Sequence, residues 1–233
     1  MNPKRIWRKV KLQIEQWRGI SPGFSLDTRI QMEKHGSDYG NWTIEKESLN
    51  SKSIVYAFGV GEDISFDLSI IKKYNCPVFA FDPTPKVHDW LSKQTLPRNF
   101  NFIQIGLAEE DAVVKFYTPE IETHISHSSQ AKSADAHFVE LPVSRLSTIM
   151  KELGHKYIDV LKLDIEGFEY KVIDDILATK IPIRQFLVEF HHGMYGFMKE
   201  ETEEAISKLN KAGYKLFFVS DVGRELSFIK YTA

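Results

Sequence analysis

The chain has 233 residues, 42% hydrophobic and 27% charged, with a formal net charge of −2 and one cysteine, Cys76. That length holds one sizeable α/β domain and leaves no room for two comfortable ones. The balance gives no global reason to expect nucleic acid, and one cysteine excludes an internal disulfide framework or a cysteine-rich zinc cluster.

Residues 1–18, MNPKRIWRKVKLQIEQWR, hold six bases against one acid, a net +5, so the remaining chain carries −7. Trp7, Val10, Ile14 and Trp17 fall on helical spacing, which predicts a basic amphipathic helix within residues 1–23, ahead of a single domain over 24–233. Two readings follow. The helix is a membrane-surface anchor serving lipid-linked substrates at the inner membrane face, or it packs its tryptophans on the domain or on a partner chain. Packing is the reading adopted. No apolar run reaches membrane-span length and no signal-peptide core is visible, so the expected setting is reducing and cytoplasmic.

From residue 53 short apolar strands alternate with helices. Strands are expected at 53–58, 77–82, 99–108 and 112–118, with helices at 63–74 and near 85–93. Residues 119–137 are polar and rich in serine and histidine, and read as a long loop. A strand and a helix share 138–154. Strand 158–164, helix 168–178, strand 185–190, helix 200–211 and strands 214–220 and 225–230 complete the series. Such alternation predicts a mostly parallel, doubly wound sheet with an antiparallel hairpin at its C-terminal edge. Ligands of such sheets sit beyond the carboxyl ends of the strands.

Four of those ends carry suggestive residues. Gly59 and Gly61, in YAFGVGEDISFD, allow a tight turn and a close backbone approach to a ligand, or a tight turn with no ligand. The third glycine of a dinucleotide fingerprint would fall on Ile64, so pyrophosphate binding is not supported. Asp82, in FAFDPTP, lies about twenty residues past the glycine turn and is placed to accept hydrogen bonds from both ribose hydroxyls; otherwise it caps the next helix. The third end is VLKLDIEGFEYKVI, with Asp164, Glu166 and Glu169. The fourth is FLVEFHHG, with Glu189, His191 and His192. Carboxylates and imidazoles at adjoining strand ends suit the handling of a proton and a cation better than an apolar nicotinamide slot.

VLKLDIEGFEYKVI resembles the signature of the FkbM family of S-adenosylmethionine-dependent methyltransferases, where a strand ends in an Asp-(Ile/Val)-Glu-Gly-x-Glu run. FGVGEDISFD and FDPTP resemble the family's cofactor and ribose loops, LVEFHHG its last core strand, and the likeness covers about 26–229. It implies a Rossmann-like methyltransferase fold with a seven-stranded sheet, and S-adenosylmethionine as cofactor. It also implies cofactor contacts from Gly59, Gly61, Asp82, Gly106, Leu107 and Glu166. Many members carry an acid two residues before the first glycine, where this chain has Ala57, and Asp63 is the expected substitute for the methionine amino group. The segment KHGSDYGNW resembles a lead-in segment of related proteins. There Tyr39 and Trp42 would form a lid over the sulfonium, or simply pack on the domain.

The implied reaction is O-methylation of a hydroxyl on a sugar, glycolipid or related small molecule. Asp164, His191 and His192 are the candidate bases, and Glu169 is expected only to favour the helix N-terminus. Asp164, Glu189 and a histidine could hold a divalent ion, but His124, His127 and His137 fit no metal spacing, and no metal is expected. The competing functions are a nicotinamide-dependent oxidoreductase and a methyltransferase-fold protein that binds without catalysing.

Overall fold

A computed structural model describes residues 3–117 and 138–231. The loop expected at 119–137, with its three histidines, lies outside the described residues. Helix α1 (Pro3–Trp17) precedes a hairpin of β1 (Met32–His35) and β2 (Trp42–Glu45). Strand β3 (Val55–Phe58), helix α2 (Ser65–Tyr74), strand β4 (Val78–Phe81), helix α3 (Pro85–Leu91) and strand β5 (Phe100–Ile103) then alternate. The short strands β6 (Gly106–Leu107), β7 (Ala112–Tyr117) and β8 (Phe138–Ser144) lead to α4 (Leu146–Leu153), β9 (Ile158–Leu163) and α5 (Glu169–Thr179). Strand β10 (Ile183–Glu189), α6 (Lys199–Lys211), β11 (Lys215–Val219) and β12 (Glu225–Ile229) close the chain.

The main sheet has seven strands in the order β11-β12-β10-β9-β3-β4-β5. It is the doubly wound sheet that the alternation implied, with the seven strands that the family resemblance implied. The closing hairpin enters reversed: β12 pairs antiparallel with both β10 and β11, which leaves β11 as the edge. Successive side chains of each strand feed opposite faces. Tyr56, Phe58, Leu161 and Leu163 pack with α4, α5 and α6, whereas Val55 and Val160 pack with α2, α3 and β2. With both faces covered, the central strands are apolar at nearly every position. No described helix is long and apolar enough to cross a membrane.

Two elements differ from the sequence reading. The strand expected at 99–108 stops at Ile103, where the Ile105 N–H turns back to the Ile103 carbonyl at 2.9 Å. Gly106 and Leu107 then pair with Val143 and Ser144 in a separate three-stranded sheet, β6-β8-β7. Glycine is required at 106, because a Cβ there would lie 2.9 Å from Val143 Cγ1 and 3.2 Å from the Pro83 ring.

The second difference is the hairpin β1–β2, which the sequence reading had only as a lead-in. It is clamped to the sheet from the far end of the chain. The Glu45 N–H donates to Gln185 Oε1 at 2.8 Å, and Gln185 Nε2 donates to Ser48 Oγ at 3.0 Å. The Ser227 hydroxyl donates to the Thr43 carbonyl at 2.7 Å, and Arg184 pairs with Glu45. Gln185 is fully buried, so these bonds satisfy an amide that would otherwise be costly inside the core.

Candidate active site

The chain runs from β3 to β4 and β5 on one side of the sheet and returns to β9 and β10 on the other, so the winding reverses between β3 and β9. At the carboxyl ends of these two strands lies a cavity of about 380 Å³. Gly59, Gly61, Asp63, Asp82, Gly106, Leu107, Asp164 and Glu166 line it, as do Tyr39 and Trp42 from the hairpin. His191 and His192 are not among its lining residues.

The glycine loop is shaped by contact and by conformation. Gly59 has φ +74°, and a Cβ on it would fall 1.7 Å from the Asp164 carbonyl oxygen, so only glycine lets the ends of β3 and β9 approach this closely. Gly61 has φ +56° with open space before it, so the requirement there is the left-handed backbone alone. Its N–H donates to Asp82 Oδ2 at 3.1 Å. Asp82 Oδ1 accepts both the Thr84 N–H (3.0 Å) and the Thr84 hydroxyl (2.6 Å). A carboxylate oxygen offers two acceptor positions, so one position on Oδ2 remains for a ribose hydroxyl instead of the two hydroxyls expected.

Asp63, also in the cavity wall, is tied to the hairpin turn and to the start of α2. Its Oδ1 accepts the Ser65 N–H and its Oδ2 the Ser37 hydroxyl, both at 2.8 Å. These bonds outweigh burial and hold its carboxyl below the usual range. Ser37 Oγ in turn accepts the N–H groups of Tyr39 and Gly40, so Asp63 anchors the β1–β2 turn. Deeper in the wall is Asp67, which is 3% exposed and whose Oδ1 has no hydrogen-bond partner. Burial pushes its carboxyl up to about 7, against the pull of Lys162.

Lys162 was not singled out from sequence. It is 6% exposed, and its Nζ donates to the carbonyls of Gly59 (2.8 Å) and Phe58 (3.3 Å). It also lies 3.8 Å from Asp164 Oδ2 and 5.0 Å from the Trp42 ring centroid. Trp42 is buried in the α2-side core, with its ring against Lys162 in the cavity wall. Tyr39 is 94% exposed at the mouth.

Beyond β9 the acids form one connected group. Glu169 is wholly buried and accepts the Gly167 N–H (2.9 Å), the His191 N–H (3.0 Å) and the His191 ring at Nδ1 (3.0 Å). It therefore ties the ends of β9 and β10 together, a larger role than the helix-terminus effect expected of it. Nε2 of His191 faces Glu166 Oε2 at 3.2 Å. Burial alone would lower the His191 pKa, but Glu166 and Glu169 outweigh it and push it up to about 11, so this imidazole is a held cation. Glu166 has φ +52°, a conformation that a non-glycine residue seldom holds, and accepts a hydrogen bond from the Tyr195 hydroxyl.

Burial raises the Asp164 carboxyl above its ordinary value despite Lys162 and His191. Glu189 is pushed well up by burial, with Asp164 and Glu225 adding to the rise. Asp164, Glu166 and His191 bring one ligand-type atom each within 4.8 Å of one another. In this trio the imidazolium itself supplies the positive charge. His192 lies elsewhere: Nε2 contacts Ser21 Oγ at 3.3 Å and Nδ1 contacts Thr202 Oγ1 at 3.4 Å. Burial lowers it to about 4, so it is a neutral packing residue under the segment that follows α1.

Residues 28–216 match the family described as the methyltransferase FkbM domain. The chain belongs to this family. S-adenosylmethionine is the cofactor that goes with membership, and the cavity suits it, with a glycine loop and several carboxylates in its wall. The FkbM chain is 25% identical over 193 residues to human "Probable methyltransferase-like protein 24", and 24% identical over 188 residues to its Rattus norvegicus counterpart. Those alignments cover 78% and 76% of this chain, and the chain spans about half the length of these relatives, 46% in each case. Among solved structures it is similar to methyltransferase FkbM from Methylobacillus flagellatus, with a TM-score of 0.49 and 12% identity, over 78% of this chain and 44% of that one.

Proposed function

We propose that this FkbM-family chain is an S-adenosylmethionine-dependent O-methyltransferase acting on a hydroxyl of a sugar, glycolipid or related small molecule. The observation that carries this reading is the meeting, in one cavity, of a nucleoside-type wall (Gly59, Gly61, Asp82) with a raised carboxyl, Asp164, at the adjoining strand end. Bound S-adenosylmethionine supplies a methyl group on a cationic sulfur.

The chain's residues then have separable tasks. Gly61 and Asp82 hold the ribose, and Asp67, with its unpartnered oxygen, accepts the methionine ammonium. Asp164 would take the acceptor's hydroxyl proton, which leaves the oxygen able to accept the methyl group while sulfur keeps its electron pair. A carboxyl shifted upward is the better base near neutral pH. His191, charged and held by Glu166 and Glu169, keeps the Asp164 region electrically balanced and does not itself take the proton.

The test is titration calorimetry of S-adenosylmethionine against NAD, followed by transfer of a labelled methyl group to hydroxylated acceptors, glycans and glycolipids included. Binding of S-adenosylmethionine with transfer to a hydroxyl is the expected result. Binding of NAD alone overturns the reading, and cofactor binding without transfer to any acceptor favours a non-catalytic role.

A further inference from the structure

Helix α1 presents an unusual surface. Ile6, Trp7, Val10, Ile14 and Trp17 are 44%, 65%, 46%, 49% and 88% exposed. At about 100° per residue all five fall within an arc of about 100°, so they form one continuous apolar stripe. The stripe is not turned toward the domain. The helix is seated by its other side, where Leu12 rests on the bare backbone of Gly223 beside Phe24, so that a Cβ at 223 would be 2.5 Å from Leu12 Cδ1. Lys9 fastens the same side to Asp221 at 3.5 Å. Of the two packing surfaces the sequence suggests, the chain's own domain leaves the tryptophans uncovered.

We propose that this face of α1 docks the chain on an anionic lipid surface. The stripe has the composition of an interfacial helix, with tryptophans among aliphatic residues. Helical spacing places Lys11, and Arg18 just past the end of the helix, along one border of the stripe, within a segment of net +5. Charge also decides against a second copy as the occupant, since pairing two stripes would bring two +5 segments together.

The location strengthens the case. The turn that seats α1, residues 220–224, joins β11 to β12, and Glu225 at the start of β12 pairs with Glu189 at the carboxyl end of β10. The helix is thus fixed at the end of the sheet where the cavity lies, on the side of β10 away from β3. A membrane bound by the stripe is met at the site's own end of the molecule.

The test is co-sedimentation of the full chain with vesicles of phosphatidylcholine alone and of phosphatidylcholine mixed with phosphatidylserine, at low and high salt. Binding is expected only to the anionic vesicles, and should be released by salt. The double variant Trp7→Ser/Trp17→Ser should lose vesicle binding with an unchanged melting temperature, because neither ring packs on the domain. Reversing no charge but removing one, Lys11→Gln, should weaken binding about fivefold, from about 1 kcal/mol per base near the surface. Failure of the full chain to sediment with anionic vesicles overturns the proposal, as does undiminished binding by the double variant. So does a wild-type dimer in light scattering that the double variant converts to monomer, since the occupant would then be a second copy. The outcome is independent of methyl transfer, because only lipid binding and mass are read.

Discussion

Asp67→Asn separates the methionine end of the cofactor from its nucleoside end. The carboxylate has one oxygen with no partner inside the wall of the cavity, a state that costs free energy unless a donor arrives. If the methionine ammonium is that donor, the bond lost is one between charged groups, worth about 1.5–3 kcal/mol. By calorimetry the variant should bind S-adenosylmethionine roughly 10- to 150-fold more weakly, while methylthioadenosine, which lacks the amino acid, binds as to wild type. The same change acts on stability in the opposite sense. The folded-state value of about 7 is above the ordinary 3.8, so the stability linked to this group is fully present below about pH 4 and is lost as pH rises through 7. The apo variant should therefore melt with wild type in acid and above it at pH 8, by at most about 4 kcal/mol at about 1.4 kcal/mol per pH unit. Equal losses for both ligands, or an unchanged affinity for S-adenosylmethionine, would refute the assignment.

Asp82→Ala should weaken S-adenosylmethionine and methylthioadenosine alike, by about 1.5–3 kcal/mol, since both carry the ribose; a loss confined to one ligand argues against that contact. Asp164→Asn should retain cofactor binding and lower turnover about 10²- to 10⁴-fold, and near-normal turnover would transfer the proton to another group. Glu169→Gln should lower stability by about 3–5 kcal/mol, the range for breaking a buried ion pair. Because the folded-state value of His191 lies above 6.5, at about 11, its contribution is complete below pH 6.5 and is lost toward pH 11. Wild-type melting temperature should fall across that window and the variant's should fall less. Turnover should survive EDTA, since His191 already provides the cation beside Asp164 and Glu166; activity restored only by added divalent ions would overturn that.

The sheet was legible because its strands are covered on both faces, and continuous apolar runs such as SIVYAF and PVFAF have few other uses. The cavity-lining residues were legible because a doubly wound sheet concentrates function at strand ends, and acids or glycines there stand out against apolar neighbours. What escaped notice was polar chemistry inside elements. Lys162 interrupts the apolar run VLKLD, and Asp67 shares a helical face with the buried Ile70 and Ile71. Each is a charged residue where periodicity demands an apolar one, which is the available signal. The roles of Glu169 and His192 were not legible, since both depend on partners 22 and 171 positions distant. No local pattern encodes such pairings.

The clamp on the hairpin β1–β2 also dictates an order of assembly. Its bonds join residues 43–48 to residues 184–227, across separations of 136 to 184 positions. Contacts that distant form slowly, after the local ones. On a chain emerging from the ribosome, Tyr39 and Trp42 are made well before β10 and β12, and the hairpin that carries them has nothing to dock against until those strands exist. The β1–β2 wall of the cofactor cavity is therefore early in synthesis and late in folding. A nascent chain halted before residue 227 would carry its glycine loop and its acids and still lack a closed site, so cofactor binding reports a finished sheet.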